Sequence, residues 1–343
     1  MENNVTYIVD TLEHLVNIPS PTGFTHDVID FVKTTASGFG YSCDLTAKGG
    51  LIITVPGEKE EVLGLSAHTD TLGAMVRSIN TSGTLNLIPI GGYMMEAIEG
   101  FYCKIHTRNG KVYTGTISTT MPSVHTYDEA RTLERAPRNM IVTIDEQVEN
   151  KEDVEALGIS SGDFISLDPC FVHTRSGFIK TRHIDDKGSV AVLLAVLRKL
   201  SKDKITPKRT LKILISNYEE IGHGASYIPE DITEFLAIDM GALGADLNGD
   251  EYKVSICALD SSGPYDYDMT NRLIQMAKDH NIDYAIDIFP HYGSDVSAAL
   301  RGGHNIRGAL IGQGVRASHG IERTHEKGLE GTLNLVMAYI TEA

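Results

Sequence analysis

Two adjacent glutamates, Glu219 and Glu220, come just after the apolar-rich run Leu211–Ser216. We predict that this run is a β-strand, in which neighbouring side chains point to opposite faces. At the carboxyl end of a strand, where α/β sheets bind their ligands, one carboxylate could hold a metal ion while the other transfers a proton. Metal-assisted hydrolysis requires this division of labour.

A histidine stands at the end of another predicted strand. His68 closes the run Val62–Ala67, and Asp70 follows two residues later. A histidine that binds a metal commonly donates its second ring N–H to a carboxylate, and Asp70 is placed to accept it. An ordinary polar strand end has the same pattern, so these two residues indicate a metal site only together with others.

Two further acids precede a predicted helix. Asp185 and Asp186 come just before the apolar helix Ser189–Leu200. Asp186 could simply cap that helix, because carboxylates are favoured near a helix N-terminus. Asp185 is the stronger ligand candidate, since its two carboxylate oxygens could bridge two cations.

An aspartate and two histidines follow the later predicted strands. Asp239 ends the strand Phe235–Ile238, His319 follows the strand Ile306–Ile311 after a loop, and His325 lies six residues further on. Each of them alone is typical of a solvated loop.

Five carboxylate and imidazole side chains thus lie at or just past predicted strand or helix ends, where α/β proteins place their sites. A set without thiolates suits two divalent cations such as Zn, Co or Mn. The five residues are His68, Asp185, Glu220, Asp239 and His319.

The composition predicts a globular protein. The chain has 343 residues, of which 41% are hydrophobic, and a formal charge of -16, which opposes nucleic-acid binding. Its four cysteines are widely spaced, which indicates reduced thiols. The N-terminus does not resemble a secretory leader, and no run of about 18 apolar residues follows. We therefore expect a cytoplasmic protein without membrane segments.

The order of the predicted elements indicates an α/β domain interrupted by a β-rich insert. Residues 1–71 and 169–343 alternate between helical and strand patterns, whereas residues 72–168 contain short strand-like runs with frequent glycine. We expect a discontinuous catalytic domain and a smaller inserted domain. The other predicted elements are two helices before residue 33, strands at Leu51–Val55, Leu85–Ile90, Phe101–Thr107, Lys111–Ile117 and Met140–Ile144, and helices at Met269–His280 and near the C-terminus.

Over nearly its whole length the sequence resembles the tetrahedral aminopeptidases, metallopeptidase family 42, which includes glutamyl, leucyl, lysyl and deblocking enzymes. The matching segments occur in the family's order, and their joint order is highly specific. They are Ser66–Asp70, Ile184–Gly188, Glu219–Gly222, Ala237–Asp239 and Arg316–His319, with shorter likenesses at Leu157–Ile159, Gly162–Asp163 and Gly293–Asp295.

This resemblance implies a ligand set for two divalent metal ions per subunit, Zn, Co or Mn. Asp185 would bridge both ions. His68 and Asp239 would complete one site, and Glu220 and His319 the other.

The resemblance also implies an activity and an architecture. Glu219 would be the general base that takes a proton from a metal-bridging water, and Asp70 would be a second catalytic residue. The substrates would be short peptides cleaved at their N-termini. The fold would be a three-layer, mixed-sheet α/β domain interrupted by a PDZ-like dimerisation domain. Homo-oligomers would form from dimers, up to tetrahedral dodecamers.

Two departures from the family pattern leave questions open. Thr71 stands where the family usually has a glutamate, and Ala317–Ser318 stand where bulkier residues are common. The second departure keeps His325 as an alternative last ligand. Asp295 could contact the metal ligands or the substrate, and it could equally be an acid of a turn.

Three other functions are compatible with parts of the sequence. The segment His68–Thr71 also resembles the family 20 metallopeptidases, which are carboxypeptidase-like or deacylating enzymes, although their insertion usually follows the glutamate pair. A glycosidase would need two carboxyls facing each other across a bond, roughly 5 to 9.5 Å apart, which adjacent diverging glutamates fit poorly. A scaffold with structural metal ions would leave Glu219 without a role.

Overall fold

The computed structural model describes residues 4–342. Within them the chain forms two compact units. Thr71–Pro169 form one, which we call the barrel unit, and the described residues on either side of that segment form the other, which we call the sheet unit.

The secondary structure of residues 4–342 comprises seven α-helices and nineteen strands. The helices are α1 (Asn4–Val16), α2 (His26–Gly38), α3 (Lys151–Leu157), α4 (Ile184–Asp203), α5 (Tyr267–Asp279), α6 (Asp295–Arg301) and α7 (Glu326–Glu342). The strands are β1 (Ser42–Leu45), β2 (Leu51–Val55), β3 (Lys59–His68), β4 (Gly73–Ile79), β5 (Leu85–Ile90), β6 (Tyr102–His106), β7 (Val112–Thr119), β8 (Met140–Ile144), β9 (Phe164–Leu167), β10 (Val172–His173), β11 (Phe178–Thr181), β12 (Arg209–Ser216), β13 (Ile232–Ile238), β14 (Gly241–Ala242), β15 (Val254–Asp260), β16 (Gly263–Pro264), β17 (Tyr284–Phe289), β18 (Arg307–Val315) and β19 (Glu322–His325).

The sheet unit is built on a ten-stranded mixed sheet whose main path runs β1-β2-β12-β3-β13-β18-β15-β16. The four central strands, β12, β3, β13 and β18, are parallel to one another. Antiparallel pairing adds β2 on one side and β15 on the other. Because the central strands are parallel, their carboxyl ends meet at one edge of the sheet.

Both faces of this sheet are covered, which gives three layers. Alternate strand residues such as Leu63 and Leu65 pack with α1, α2, α4, α5 and α7 in one apolar cluster. Phe235 and Ala237 point to the opposite face and pack with α6, through Val296, in another. The prediction of a three-layer, mixed-sheet α/β domain is therefore confirmed. No helix of residues 4–342 has the length and apolar character needed to cross a bilayer.

The barrel unit is a closed barrel of six strands in the order β4-β5-β8-β7-β6-β9. Its interior is filled by fully buried apolar side chains, among them Ile105, Ile117, Val142 and Ile165. The small β-rich domain expected from the sequence is present. Its role in dimerisation stays a prediction.

A buried ion cluster joins several strands at the amino end of the sheet. The Glu234 carboxylate, only 1% exposed, lies 2.7 Å from Arg209, 2.6 Å from Arg272 and 2.5 Å from Arg307. Tyr339 also donates a hydrogen bond to it. Burial alone would raise the pKa of Glu234, but hydrogen bonds from Arg272 and Arg209 lower it below its ordinary value.

We expect Glu234→Gln to destabilise the sheet unit by about 3–5 kcal/mol, because it leaves the buried Arg209 guanidinium with only the exposed Glu61 carboxylate, 3.4 Å away, as its counter-charge. Urea unfolding followed by circular dichroism measures this change. The control Glu60→Gln, at an exposed position of β3, should shift stability by less than about 0.5 kcal/mol. Equal unfolding midpoints for the two variants would contradict this account of the cluster.

Candidate metal centre

The predicted ligands meet at the carboxyl edge of the parallel strands. His68 ends β3 in register with Ser216, the last residue of β12. The adjacent glutamates follow β12, Asp239 follows β13, and His319 lies in the turn after β18. The polar residues at the carboxyl ends of four neighbouring strands therefore lie close together, as expected of a parallel sheet.

Asp185 lies between the two histidines. Its Oδ1 is 3.1 Å from His68 Nε2, and its Oδ2 is 3.3 Å from His319 Nε2. Asp185 and Asp186 stand in the first turn of α4 with non-helical backbone angles, and the peptide bond between them is cis. The Asp185 amide donates to Glu322 Oε2 at 3.1 Å. Each carboxylate oxygen of Asp185 thus faces a different histidine.

The two glutamates diverge, but not for the reason predicted. They lie in a short 3₁₀ turn, Glu219–Ile221, and not on a strand, so strand alternation does not separate them. Glu219 Oε2 is 3.6 Å from His68 Nε2, whereas Glu220 Oε2 is 3.5 Å from His319 Nε2. Their carboxylates therefore approach different histidines.

Two compact groups of potential ligand atoms result. His68, Asp185 and Glu220 form one, and His68, Glu219 and Asp239 form the other, with all ligand atoms of a group within 4.8 Å of one another. His319 lies beside the first group through Asp185 and Glu220. All six residues expected at the centre are thus together, although Glu219 takes the place beside Asp239 that the resemblance gives to Asp185.

Asp70 holds the turn Glu219–Ile221, which contains the two glutamates and which we call the glutamate turn. Its Oδ1 accepts from the Glu219 amide at 3.1 Å, and its Oδ2 accepts from the Glu220 amide at 3.3 Å and from Thr22 Oγ1 at 2.7 Å. The Asp70 backbone oxygen lies 2.9 Å from His68 Nδ1, closer than the Asp70 carboxylate, which is 3.6 Å away. Asp70 therefore orients the imidazole through its main chain and the glutamates through its side chain.

The loop that follows the two glutamates in the chain is held in place by Asp295 and Lys48. Asp295 accepts from Ser216 Oγ at 2.8 Å and from the Ala225 amide at 2.9 Å. The Lys48 ammonium donates to Gly224 O at 3.0 Å. The sequence does not reveal the role of Lys48, because the turn between β1 and β2 that carries it lies more than 170 residues earlier in the chain.

Burial and repulsion dominate the electrostatics of the centre. Burial raises the pKa of Glu219 and of Glu220 well above the ordinary value, and burial with the charge of Asp185 raises the pKa of Asp239 to about 7. Burial would also raise the pKa of Asp185, but hydrogen bonds from the histidines hold it below its usual range. Burial would lower the pKa of His68, yet the hydrogen bond with Asp185 and the charge of Glu219 raise it well above the ordinary value.

These side chains fit divalent cations. Carboxylates outnumber imidazoles at the centre, and the nearby buried cation, Lys187, is occupied elsewhere. Its ammonium donates to the backbone oxygens of Leu15 and Ile18 at 2.9 and 2.8 Å. Cations bound among the acids would relieve their repulsion, and the donors are those that Zn, Co and Mn accept.

Three residues left open by the sequence now have defined positions. Asp186 accepts from the His68 amide at 3.2 Å, so it is more than a helix cap. Both ring nitrogens of His325 are engaged, Nε2 with Ser176 O at 2.8 Å and Nδ1 with the Lys327 amide at 3.0 Å. The geometry therefore favours His319 over His325 as a ligand. Thr71 belongs to the barrel unit.

The model of the M42 glutamyl aminopeptidase family matches residues 49–335. The chain belongs to the M42 peptidase family. A Bacillus subtilis (strain 168) protein named "Putative aminopeptidase YhfE" is 47% identical over 339 residues, which cover 98% of each chain. The protein is therefore an aminopeptidase of this family, and hydrolase chemistry on peptides follows from its membership.

Solved structures share the fold of this M42 chain. A TET aminopeptidase from a marine sediment Thaumarchaeota archaeon has a TM-score of 0.89 at 19% identity, covering 99% of this chain and 97% of that one. The TET1 peptidase of Pyrococcus horikoshii, described as assembling into a tetrahedron or a large octahedral shell, has a TM-score of 0.86 at 22% identity over 98% and 100%. A Thermotoga maritima structure described as an endoglucanase reaches 0.76 at 17% identity over 96% of both chains.

We expect Gly224→Ala to reduce kcat at least tenfold while the protein stays folded. A Cβ at this position would clash with Asp295 Oδ1 and lie 3.1 Å from Glu219 Cα, so it would displace the turn that holds the two glutamates. The control Gly244→Ala should be silent, because its Cβ would meet nothing nearer than 3.6 Å. Peptide hydrolysis and thermal unfolding, measured in parallel, test this. Wild-type kcat for Gly224→Ala would show that the turn tolerates the displacement.

Proposed function

We propose that this M42 peptidase is a dinuclear metal aminopeptidase that removes N-terminal residues from short peptides. The observation that carries the proposal is the position of Asp185, whose two oxygens face His68 at 3.1 Å and His319 at 3.3 Å. Two cations sharing one carboxylate require an acid with ligands on both sides, and this arrangement supplies one.

The proposed ligands follow the family resemblance, and the observed contacts fit it except that Asp239 is grouped with His68 and Glu219. Asp185 would be a ligand of both ions, His68 and Asp239 would be the further ligands of one, and Glu220 and His319 those of the other. Bound Zn, Co or Mn ions would supply Lewis acidity, which lowers the pKa of a water and polarises the scissile carbonyl.

Glu219 is the proposed general base. Its side chain is 14% exposed, against 3% for Glu220, so it is the more accessible carboxylate of the pair. The carboxylate takes the proton of the attacking water and returns it to the leaving amine. Asp70 assists by fixing the amides of both glutamates, and it therefore acts as a positioning residue.

The proposal also covers the class of substrate and the oligomeric state. We propose short peptides with a free N-terminus as substrates, and homo-oligomers built from dimers. The TET1 peptidase of Pyrococcus horikoshii, which shares the fold, is described as assembling into a tetrahedron or a large octahedral shell. A cytoplasmic location stays a prediction from the sequence.

The rival functions differ in what they require of the same site. The shared fold of a structure described as an endoglucanase shows that fold alone does not separate the activities. A carboxylate glycosidase usually needs no catalytic metal, whereas the acids here are packed around histidines. The family 20 alternative predicts trimming at the other end of the peptide, or deacylation.

We expect metal-stripped protein to be inactive and to regain stepwise cleavage from free N-termini when Zn, Co or Mn is restored. Free and N-acetylated versions of the same peptides, analysed together by mass spectrometry, measure this. The acetylated peptides should remain intact. C-terminal trimming or loss of the acetyl group would indicate an activity of the family 20 type, and metal-independent cleavage of glucans would favour the glycosidase.

Glu219→Gln should lower kcat by at least about 10³-fold while both ions remain bound, because the amide cannot accept the proton. Asp185→Ala should instead lose metal, since it removes the shared ligand. Metal content by plasma mass spectrometry, alongside kcat, separates the two effects. Turnover retained by Glu219→Gln would remove this residue from the base role.

A further inference from the structure

The loop between α1 and α2 brings two buried hydroxyls to the residues that follow His68. Ser20 Oγ donates to the backbone oxygen of Thr69 at 2.8 Å. Thr22 Oγ1 donates to Asp70 Oδ2 at 2.7 Å. Ser20 is 1% exposed and Thr22 is 5% exposed, so solvent does not compete for either bond. A loop from the start of the chain therefore contacts the residue that holds the glutamate turn.

A tight turn places Thr22 within this loop. The Phe24 amide donates to the backbone oxygen of Pro21 at 2.7 Å, and Gly23 between them has a φ of +92°. A glycine with positive φ at the third position is the signature of a type II turn. Thr22 occupies the second position of this turn, so the backbone defines where its hydroxyl lies.

Contacts on both sides of the turn hold the loop independently of the Thr22 hydroxyl. Before it, the Lys187 ammonium donates to the backbone oxygen of Ile18 at 2.8 Å. After it, Thr25 Oγ1 accepts from Asn217 Nδ2 at 3.2 Å. Asn217 lies two residues before Glu219 in the chain. Removal of the Thr22 hydroxyl should therefore leave the loop in place and act mainly on Asp70.

The Asp70 carboxylate is fully buried and relies on protein donors. Its Oδ1 accepts from the Glu219 amide, and its Oδ2 accepts from the Glu220 amide and from Thr22. The two amides belong to the glutamate turn itself, so they would move together with that turn. Thr22 is a donor from a different element, and its bond to the carboxylate is the shortest of the three. It ties the carboxylate, and with it the glutamate turn, to the loop after α1.

We propose that Thr22 is a positioning residue that fixes the Asp70 carboxylate and, through it, the backbone of Glu219. This inference rests on the proposed function, in which Glu219 is the general base, and adds a requirement to it. Proton transfer depends steeply on where the base lies, because a small misplacement far from the chemistry slows turnover. Loss of the hydroxyl should therefore lower kcat while the metal ions remain bound.

The test compares two substitutions of Thr22 in the metal-loaded enzyme. Thr22→Val keeps the shape of the side chain and removes the donor. We expect its kcat to fall about tenfold, at the low end of the usual effect of removing a hydrogen-bond partner behind a metal site. Its KM should stay within about twofold of wild type, because the lost interaction matters in the transition state. Thr22→Ser retains a hydroxyl and should recover at least half of the wild-type kcat.

A matched control separates this effect from general destabilisation. Thr332 is also fully buried, and its hydroxyl donates to the backbone oxygen of Gly328 within α7 at 2.9 Å. Thr332→Val removes the same chemical group from a position that does not contact Asp70. It should keep the wild-type kcat, with a shift in the thermal unfolding midpoint similar to that of Thr22→Val. Plasma mass spectrometry should find the same metal content in all variants.

A second comparison tests whether Thr22 acts through Asp70. In an Asp70→Asn background, Thr22→Val should lower kcat by much less than it does in the wild-type enzyme, because both changes disturb the same carboxylate. A further loss of about tenfold in that background would show that the hydroxyl acts by another route, and would overturn the inference.

The remaining outcomes distinguish the inference from the proposed function. Wild-type kcat in Thr22→Val, or a Thr22→Ser enzyme as slow as Thr22→Val, would refute the positioning role and leave the proposed function intact. A Thr22→Val enzyme that recovers full kcat when excess metal is added would also refute it, because the hydroxyl would then act on metal binding. A wild-type protein without metal-dependent cleavage at free N-termini would overturn the proposed function itself.

Discussion

Buried negative charge is the constraint on which the rest of the sheet unit depends. Asp185, Asp186, Glu219, Glu220 and Asp239 all lie at one edge of the sheet, and burial raises the pKa of four of them. Only Asp185, between two histidines, has a lowered pKa. Such a cluster is unfavourable unless cations or protons neutralise it. The surrounding structure therefore has to hold the acids together against their own repulsion.

Main-chain hydrogen bonds provide much of that restraint. Asp70 accepts from the amides of Glu219 and Glu220, and Asp186 accepts from the amide of His68. Each acid thus fixes the backbone of a neighbouring functional residue, and side-chain position follows from backbone position. This arrangement lets the parallel sheet define the site, although Glu219, Glu220 and His319 lie on turns that follow its strands.

The sequence predicted strands with a clear apolar pattern better than it predicted strands with an interrupted pattern or the pairing between strands. The strands Leu51–Val55, Leu85–Ile90 and Met140–Ile144 have the predicted limits, because a continuous or alternating apolar run is decided locally. The strand Tyr284–Phe289 was missed, since Asp287 interrupts its apolar pattern and is buried against the Asn248 amide. Closure of the barrel depends on pairing between distant strands, which no local pattern encodes.

For the candidate site, residue types were predictable and the contacts between them were not. An acid or histidine at or just past an apolar run indicates a strand end, and Asp185 precedes an apolar helix, so the six central residues could be chosen from the sequence. Lys48 gave no such signal, because it reaches the backbone oxygen of Gly224 from a turn more than 170 residues earlier in the chain. A shared fold likewise leaves the chemistry open, as the endoglucanase-described neighbour shows. Function in this fold is therefore decided by a few side chains at the sheet edge and by the hydrogen bonds that aim them.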